Sequence, residues 1–261
     1  MANCRWPWLK KRLIAWFIQR YEVDLSEAVE TNPLAYPHFN GFFTRALRPE
    51  CRPIKLDDHT FVSPADGSVS QCGTIEQGTL MQAKGFYFNA QTLLGGNKNH
   101  AKAFESGSFT TIYLAPKNYH RVHMPCTGKL IEMIYVPGQL FSVNTHTAEH
   151  IPNLFARNER VVCLFETTHG LLAVVLIGAM LVASIETVWA GLVAPKRPRT
   201  ITSLDYRGEN ITITQGAELG RFALGSTVVV LSNTPKLSWQ DFKSGDAVQM
   251  GQILGDFKNF S

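Results

Sequence analysis

The sequence predicts an α+β fold that is mainly β: a β-sandwich or barrel-sandwich-like core carrying an N-terminal helical, membrane-binding segment. Three observations carry this. From about residue 60, short apolar runs rich in β-branched residues recur between Gly and Pro, as in sandwiches and barrels. Residues 5–20 instead place apolar side chains at helical spacing. The basic excess is confined to the same end: residues 1–55 hold nine Lys/Arg against five Asp/Glu, and the other 206 residues hold sixteen of each.

With 261 residues, 45% of them hydrophobic, the chain can bury a sizeable core. A net charge of +4 localised at one end suits an anionic surface, not a nucleic-acid-binding domain. Cys4, Cys51, Cys72, Cys126 and Cys163 are odd in number and scattered, with no C-x-x-C pair, which argues for a reducing compartment over a disulfide framework. The apolar stretch Leu13–Ile18 is too short for a secretory signal and lacks a small-residue cleavage site.

In chain order, the first element is a helix starting near Pro7, since proline is tolerated in a first turn. Leu9, Leu13, Trp16 and Phe17 form its apolar stripe, and Lys10, Lys11 and Arg12 supply charge. It is too short to span a bilayer. Basic and Trp-rich, it suits the membrane interface; packing on the protein's own core is the alternative. Short helices or turns follow at 24–27 and 40–45, and Arg48–Ile54 breaks the pattern. The expected division is therefore 1–56, helical and membrane-associating, and 57–261, β-rich.

Strands are expected at 67–71, 109–114, 129–136 and 160–165. Three turns resemble one another, at 65–69, 125–130 and 244–255, the last similar to the tight turn of biotinyl/lipoyl barrel-sandwich folds. Leu171–Ile185 carries no charge over fifteen residues, short of the ~18 of a membrane span. With Gly178 inside it, the run reads as two buried strands. Val228–Val230 is another, entered through Leu224-Gly225-Ser226-Thr227.

That entrance has two readings. Gly-Ser before a strand is ordinary turn chemistry. Alternatively Ser226 attacks its own backbone: Gly225 lacks a Cβ, which leaves its carbonyl open to the hydroxyl. An N-to-O acyl shift and β-elimination then give dehydroalanine, and hydrolysis with loss of ammonia leaves a pyruvoyl group. A nucleophilic serine needs a base, and the base an orienting acid. His123 and Asp66 are candidates, with His120 beside them in Tyr119-His-Arg-Val-His-Met-Pro125. In the plainer reading the histidines are hydrogen-bonded structural residues and Asp66 caps its own turn. A lipid-directed serine hydrolase would use the same three residues, a carrier or binding module would need no cleavage, and a zinc enzyme would draw on His120, His123 or the His146/His150 pair, which has no H-E-x-x-H.

Pro64-Ala-Asp-Gly67, Tyr119–Pro125, Val136-Pro-Gly-Gln-Leu-Phe-Ser-Val-Asn144, Asn153–Arg160, Ile185-Glu-Thr-Val-Trp-Ala-Gly191 and Leu224-Gly-Ser-Thr227 together resemble bacterial phosphatidylserine decarboxylase, in order from about residue 20 to 255. The resemblance implies a pyruvoyl-dependent carboxy-lyase that makes phosphatidylethanolamine and CO2 through a Schiff base, with no metal and no PLP. It carries over Asp66, His123 and Ser226 as the self-cleavage triad and Gly225/Ser226 as the scissile pair. Cleavage would give a large chain 1–225 and a small chain 226–261. It also carries over His120 as the residue of the decarboxylation step. The expected partners are membrane phosphatidylserine, the two cleaved chains together and, left open, a second copy; nucleic acid is not expected. The expected location is the cytoplasmic face of the cell membrane, held peripherally. Arg121, Arg157 and Arg160 are candidates for the lipid phosphate on charge alone, with structural ion pairs the alternative.

Overall fold

The structure, a computed structural model, describes residues 6–83, 85–179, 184–195, 199–223, 226–234 and 237–258. Its main feature is one large antiparallel sheet with Ser226–Ser232 near the middle, every residue of that strand buried. It is hydrogen-bonded to Gly107–Leu114 on one side and Gly170–Ile177 on the other. Beyond Gly170–Ile177 come Arg160–Thr167, Gly128–Val136 and Thr202–Asp205; beyond Gly107–Leu114 come Gly67–Ile75 and Ala247–Val248.

Successive side chains of a strand point to opposite faces, so parity sorts this sheet into two cores. Val228 and Val230 enter one, Val229 and Leu231 the other. Leu172, Val174 and Leu176 divide in the same way from Ala173, Val175 and Ile177. With both faces covered, the central strands read as unbroken apolar runs rather than alternating ones. This explains the charge-free run at 171–185. Its first half is the central strand Gly170–Ile177, and the chain then crosses to a second sheet at Ile185–Thr187. The first expected strand exists; the strand Ile185–Thr187 of the second sheet shares only the last residue of the run, and residues 180–183 lie outside the described ones.

The first face is covered by the four strands Gly191–Ala194, Ile185–Thr187, Glu218–Phe222 and Arg121–His123, and by a smaller sheet of Thr60–Val62, Ile253–Phe257 and Leu237–Trp239. The hairpin Thr79–Ala83/Phe86–Asn89 and short helical turns between Ala90 and Arg157 cover the second. The arrangement is a layered, mainly β structure without a closed barrel among the described residues.

At the N-terminus, helix α1 (Pro7–Tyr21) packs on helix α2 (Phe39–Phe43) around a third core, with Ile14 and Phe17 against Phe39, Phe42 and Phe43. The buried stripe is shifted from the expected one: Phe17 anchors it, while Trp16 turns outward. Trp6, Trp8 and Trp16 are 65%, 60% and 54% exposed. Lys10 is turned inward, its Nζ donating to the carbonyls of Leu34 (3.1 Å) and Tyr36. Thus α1 has both an inner face packed on the protein and an outer aromatic one. No helix among the described residues is long and apolar enough to cross a membrane.

Candidate active site

Three strand ends converge at one edge of the large sheet. Ser226 opens its strand in register with Leu114, the last residue of Gly107–Leu114. Asp66 immediately precedes Gly67–Ile75, whose Ser68 pairs with Tyr113. Glycine is required at 67, because a Cβ there would lie 2.3 Å from the Tyr113 carbonyl oxygen. From Leu114 the chain turns at Ala115–Asn118, closed by Asn118 N–H to the Ala115 carbonyl at 2.9 Å, and arrives at His120. Glu218–Phe222 pairs with Arg121–His123, and Phe222 N–H donates to the His120 carbonyl at 3.0 Å. Four residues after Phe222 stands Ser226. Two short connections therefore bring His120 and Ser226 to the same region. By parity with Val228 and Val230, Ser226 faces the core that also takes Val122 and Met124.

Ser226 is completely buried, and its Oγ has no hydrogen-bond partner among the described residues. A buried hydroxyl left unpaired costs about 1–3 kcal/mol, so it is uncommon and a mark of strained or reactive positions. Leu224 and Gly225, the latter half of the expected scissile pair, lie outside the described residues.

His123 holds two hydrogen bonds. Nδ1 is 2.8 Å from the Gly216 carbonyl, which can only accept, so Nδ1 carries the proton. Nε2 therefore accepts from the Tyr119 hydroxyl at 3.0 Å. Gly216 has φ +77°, a left-handed conformation that glycine adopts without strain. Burial lowers the His123 pKa, partly opposed by the Gly216 hydrogen bond.

His120 is fully buried under Phe43, ring centroids 4.0 Å apart. Its Nδ1 donates to the Asn118 carbonyl at 2.8 Å, leaving Nε2 an acceptor with no partner among the described residues. Burial pushes its pKa down to about 3, so the ring is neutral near pH 7.

Asp66 sits elsewhere than the sequence suggested. The expected role was to fix the His123 tautomer, and the Gly216 carbonyl occupies that place. The Asp66 carboxylate instead takes both Nε (3.0 Å) and Nη2 of Arg52, and Oδ1 also accepts from Met250 N–H at 2.8 Å. Arg52 spans onward to both oxygens of Glu27, at 3.0 and 2.7 Å. The Asp66 charge favours the protonated His123 ring without touching it. Arg52 could not be read from sequence, since only folding brings residues 27, 52 and 66 together.

The phosphate candidates also resolve. Arg160 is buried and donates to the carbonyls of Leu93, Thr92, Ala156 and Asn158, while burial lowers its pKa to about 10. Arg121 is paired with Glu218 at 2.8 Å and holds the Thr44 carbonyl at 2.9 Å. Both are structural. Arg157 is exposed and lies over the Phe141 ring at 4.8 Å. His146, in the short helix Thr145–Ala148, and His150 after it pack with ring centroids 4.3 Å apart and planes tilted by 36°. No group of three His, Cys, Asp or Glu among the described residues could hold a metal ion. Tyr119 lay inside the histidine motif, but nothing in sequence assigned its hydroxyl to Nε2.

The family model described as phosphatidylserine decarboxylase matches residues 39–256, and one described as PSD matches residues 1–22. A phosphatidylserine decarboxylase proenzyme of Ectopseudomonas mendocina (strain ymp) is 55% identical over 260 residues, covering 98% of this chain and 91% of the relative. One of Bordetella avium (strain 197N) is 54% identical over 256 residues, covering 97% and 87%.

Proposed function

Because the chain belongs to the phosphatidylserine decarboxylase family, we propose that it is a self-processing carboxy-lyase whose chemistry is built at Ser226. The protein decarboxylates phosphatidylserine to phosphatidylethanolamine and CO2, a step of phospholipid biosynthesis. The observation that carries the site is the buried, unpartnered Ser226 Oγ at the head of a central strand, with the equally unpartnered His120 Nε2 in the same region.

In this reading Ser226 Oγ attacks the Gly225 carbonyl and forms an ester as the amide nitrogen is released. His123 Nε2 takes the hydroxyl proton, exchanging its bond from Tyr119 to do so. Its Nδ1–H, held by Gly216, keeps the accepting nitrogen on the correct side. Asp66, fixed by Arg52, stabilises the imidazolium by charge. β-Elimination then separates chains 1–225 and 226–261, and water hydrolyses the resulting dehydroalanine, releasing ammonia and leaving a pyruvoyl group at 226. That group supplies an electron sink for the charge left when CO2 departs. His120, neutral and buried, holds its Nε2 ready to handle the proton that replaces CO2. The reading includes a helical segment 1–56 serving a β-rich domain 57–261, attached peripherally at the cytoplasmic face.

The decisive measurement is an intact mass of denatured, purified protein. Two fragments meeting at Gly225–Ser226 are expected, the smaller resisting Edman sequencing and having the mass of Ser226–Ser261 with a keto acyl group in place of serine. Ser226→Ala should remain one chain. An active wild-type protein that stays uncleaved, with a free serine at 226, overturns the reading; a serine hydrolase would run as one chain and be labelled there by a phosphonate.

Attachment is tested at the exposed basic residues of α1. Lys11→Glu/Arg12→Glu should weaken binding to anionic vesicles about tenfold and reduce its salt sensitivity. Lys10 is the wrong target, since it is engaged within the protein. Unchanged binding in a vesicle sedimentation assay would remove α1 from the membrane contact.

A further inference from the structure

A second cavity of about 630 Å³ opens between α2 and the four-stranded sheet. Thr44 forms part of one wall; Ser184, Glu186, Arg221 and Ala223 form part of the other, with Leu192 at 60% exposure. Each wall leads directly to the chemistry. On the α2 side, Phe43 precedes Thr44 and packs on His120. On the sheet side, Ala223 stands three positions before Ser226.

Arg221 is the informative residue. Its shortest approaches to carboxylates, Glu186 at 3.5 Å and Glu218 at 3.3 Å, are both through Nε. The terminal Nη1/Nη2 fork makes no hydrogen bond among the described residues, and the side chain is one-third exposed. A free guanidinium fork matches two oxygens of a phosphodiester or carboxylate.

The cavity on the other side of the site offers the contrast. It measures about 350 Å³, and Glu22, Asp24, Glu27 and Asp66 line it against Arg45, Arg52 and Lys117. That excess of carboxylates disfavours a phosphodiester. The larger cavity has one lining carboxylate, Glu186; Glu218, the other carboxylate beside Arg221 at 3.3 Å, is not part of its lining.

We propose that the cavity between α2 and Glu218–Phe222 receives the phosphodiester of the substrate headgroup, with the Arg221 fork as its specificity contact. This rests on the decarboxylase reading and assigns the phosphate to a residue other than the three arginines marked from sequence. The substrate's amine is then directed toward position 226, and Leu192 lies where the glycerol and acyl portions leave the protein.

The test uses self-cleaved enzyme in mixed micelles. Arg221→Gln should raise KM for phosphatidylserine by about tenfold to a hundredfold, the range of a charge-assisted pair, with kcat changing far less. Arg221→Lys keeps the charge without the fork and should lie between. The second readout is the inhibition constant of O-hexadecylserine, which keeps the amine and carboxylate but has no phosphate; Arg221→Gln should leave it within about twofold. Unchanged KM, or an equal rise for the phosphate-free analogue, overturns the proposal. Glycerophosphoserine should compete in the wild type and lose that ability in Arg221→Gln. If inorganic phosphate competes equally well, the cavity is a general anion site and the headgroup assignment fails. Should Arg221→Gln fail to mature, Arg221→Lys carries each comparison with the same expected direction. A wild-type protein that releases no CO2 from phosphatidylserine defeats the functional reading itself, whatever Arg221 does.

Discussion

His123→Ala is expected to remain a single 29.1-kDa chain, whereas His120→Ala is cut at Gly225–Ser226 yet decarboxylates about a hundred to ten thousand times more slowly. The two histidines lie three positions apart but have different surroundings. His123 is a ring with both nitrogens assigned, Nδ1–H on Gly216 and Nε2 facing a donor. That suits a base for the one-time transfer of the serine proton. His120 has one nitrogen anchored on Asn118 and the other bare. That suits a group acting on every turnover, after the chain has been cut. Gel electrophoresis with time reads the first effect, and CO2 release by cleaved protein reads the second. A His123→Ala protein that matures at the normal rate would remove His123 from self-cleavage. A His120→Ala enzyme of normal turnover would remove His120 from decarboxylation.

Lowering the pH from 6.5 to 5 should destabilise the protein by about 2 kcal/mol through His120 alone. In the unfolded chain this histidine titrates near 6.5, and in the folded protein burial pushes it down to about 3. Above pH 6.5 both states hold the ring neutral and the difference contributes nothing. As pH falls below 6.5 the unfolded state gains a proton that the folded state refuses, so stability declines until the folded pKa is reached. His123 shifts in the same direction and adds to the slope. Urea midpoints of Ser226→Ala protein at the two pH values give the loss. His120→Gln in that background should flatten the dependence; an unchanged slope would show that the ring is not held neutral. The Glu27 carboxylate, lowered chiefly by its hydrogen bond to Arg52, contributes only in a more acidic window.

What sequence could reveal follows from how local each feature is. The strand Ser226–Ser232 was legible because burial on both faces selects an unbroken β-branched run, visible in four consecutive residues, Thr227–Val230. Pro7 at the start of α1 was legible for the same local reason. The charge-free run at 171–185 yielded the central strand Gly170–Ile177 but not the passage to a different sheet at Ile185, which pairing decides. Ser226, His120 and His123 were readable as residue types in motifs. The acceptor for His123 was not, because Gly216 is 93 positions away in the chain. Nor was the clamp on Asp66, since Arg52 shows its purpose only with Glu27 and Met250 folded around it. Arg160 shows the limit of charge alone, which left phosphate and a structural role both open: four backbone carbonyls take its guanidinium.

The segment after Ser226 does not form one layer of the protein. Ser226–Ser232 is wedged between two strands of the preceding chain, Ala247–Val248 adds to Gly67–Ser68, and Ile253–Phe257 pairs with Thr60–Val62. Under the proposed scission between 225 and 226, neither piece would be a folding unit by itself. The precursor folds as one molecule, with its ends brought together by a covalent chain; the cleaved enzyme would have to reassemble in a bimolecular search, with the new end of the small chain entering the interior of a sheet. Self-processing as proposed would thus give the protein a direction in time. Its precursor would be judged by an equilibrium between folded and unfolded forms, while the cleaved enzyme would be preserved by a barrier and have a lifetime instead of a reversible melting point.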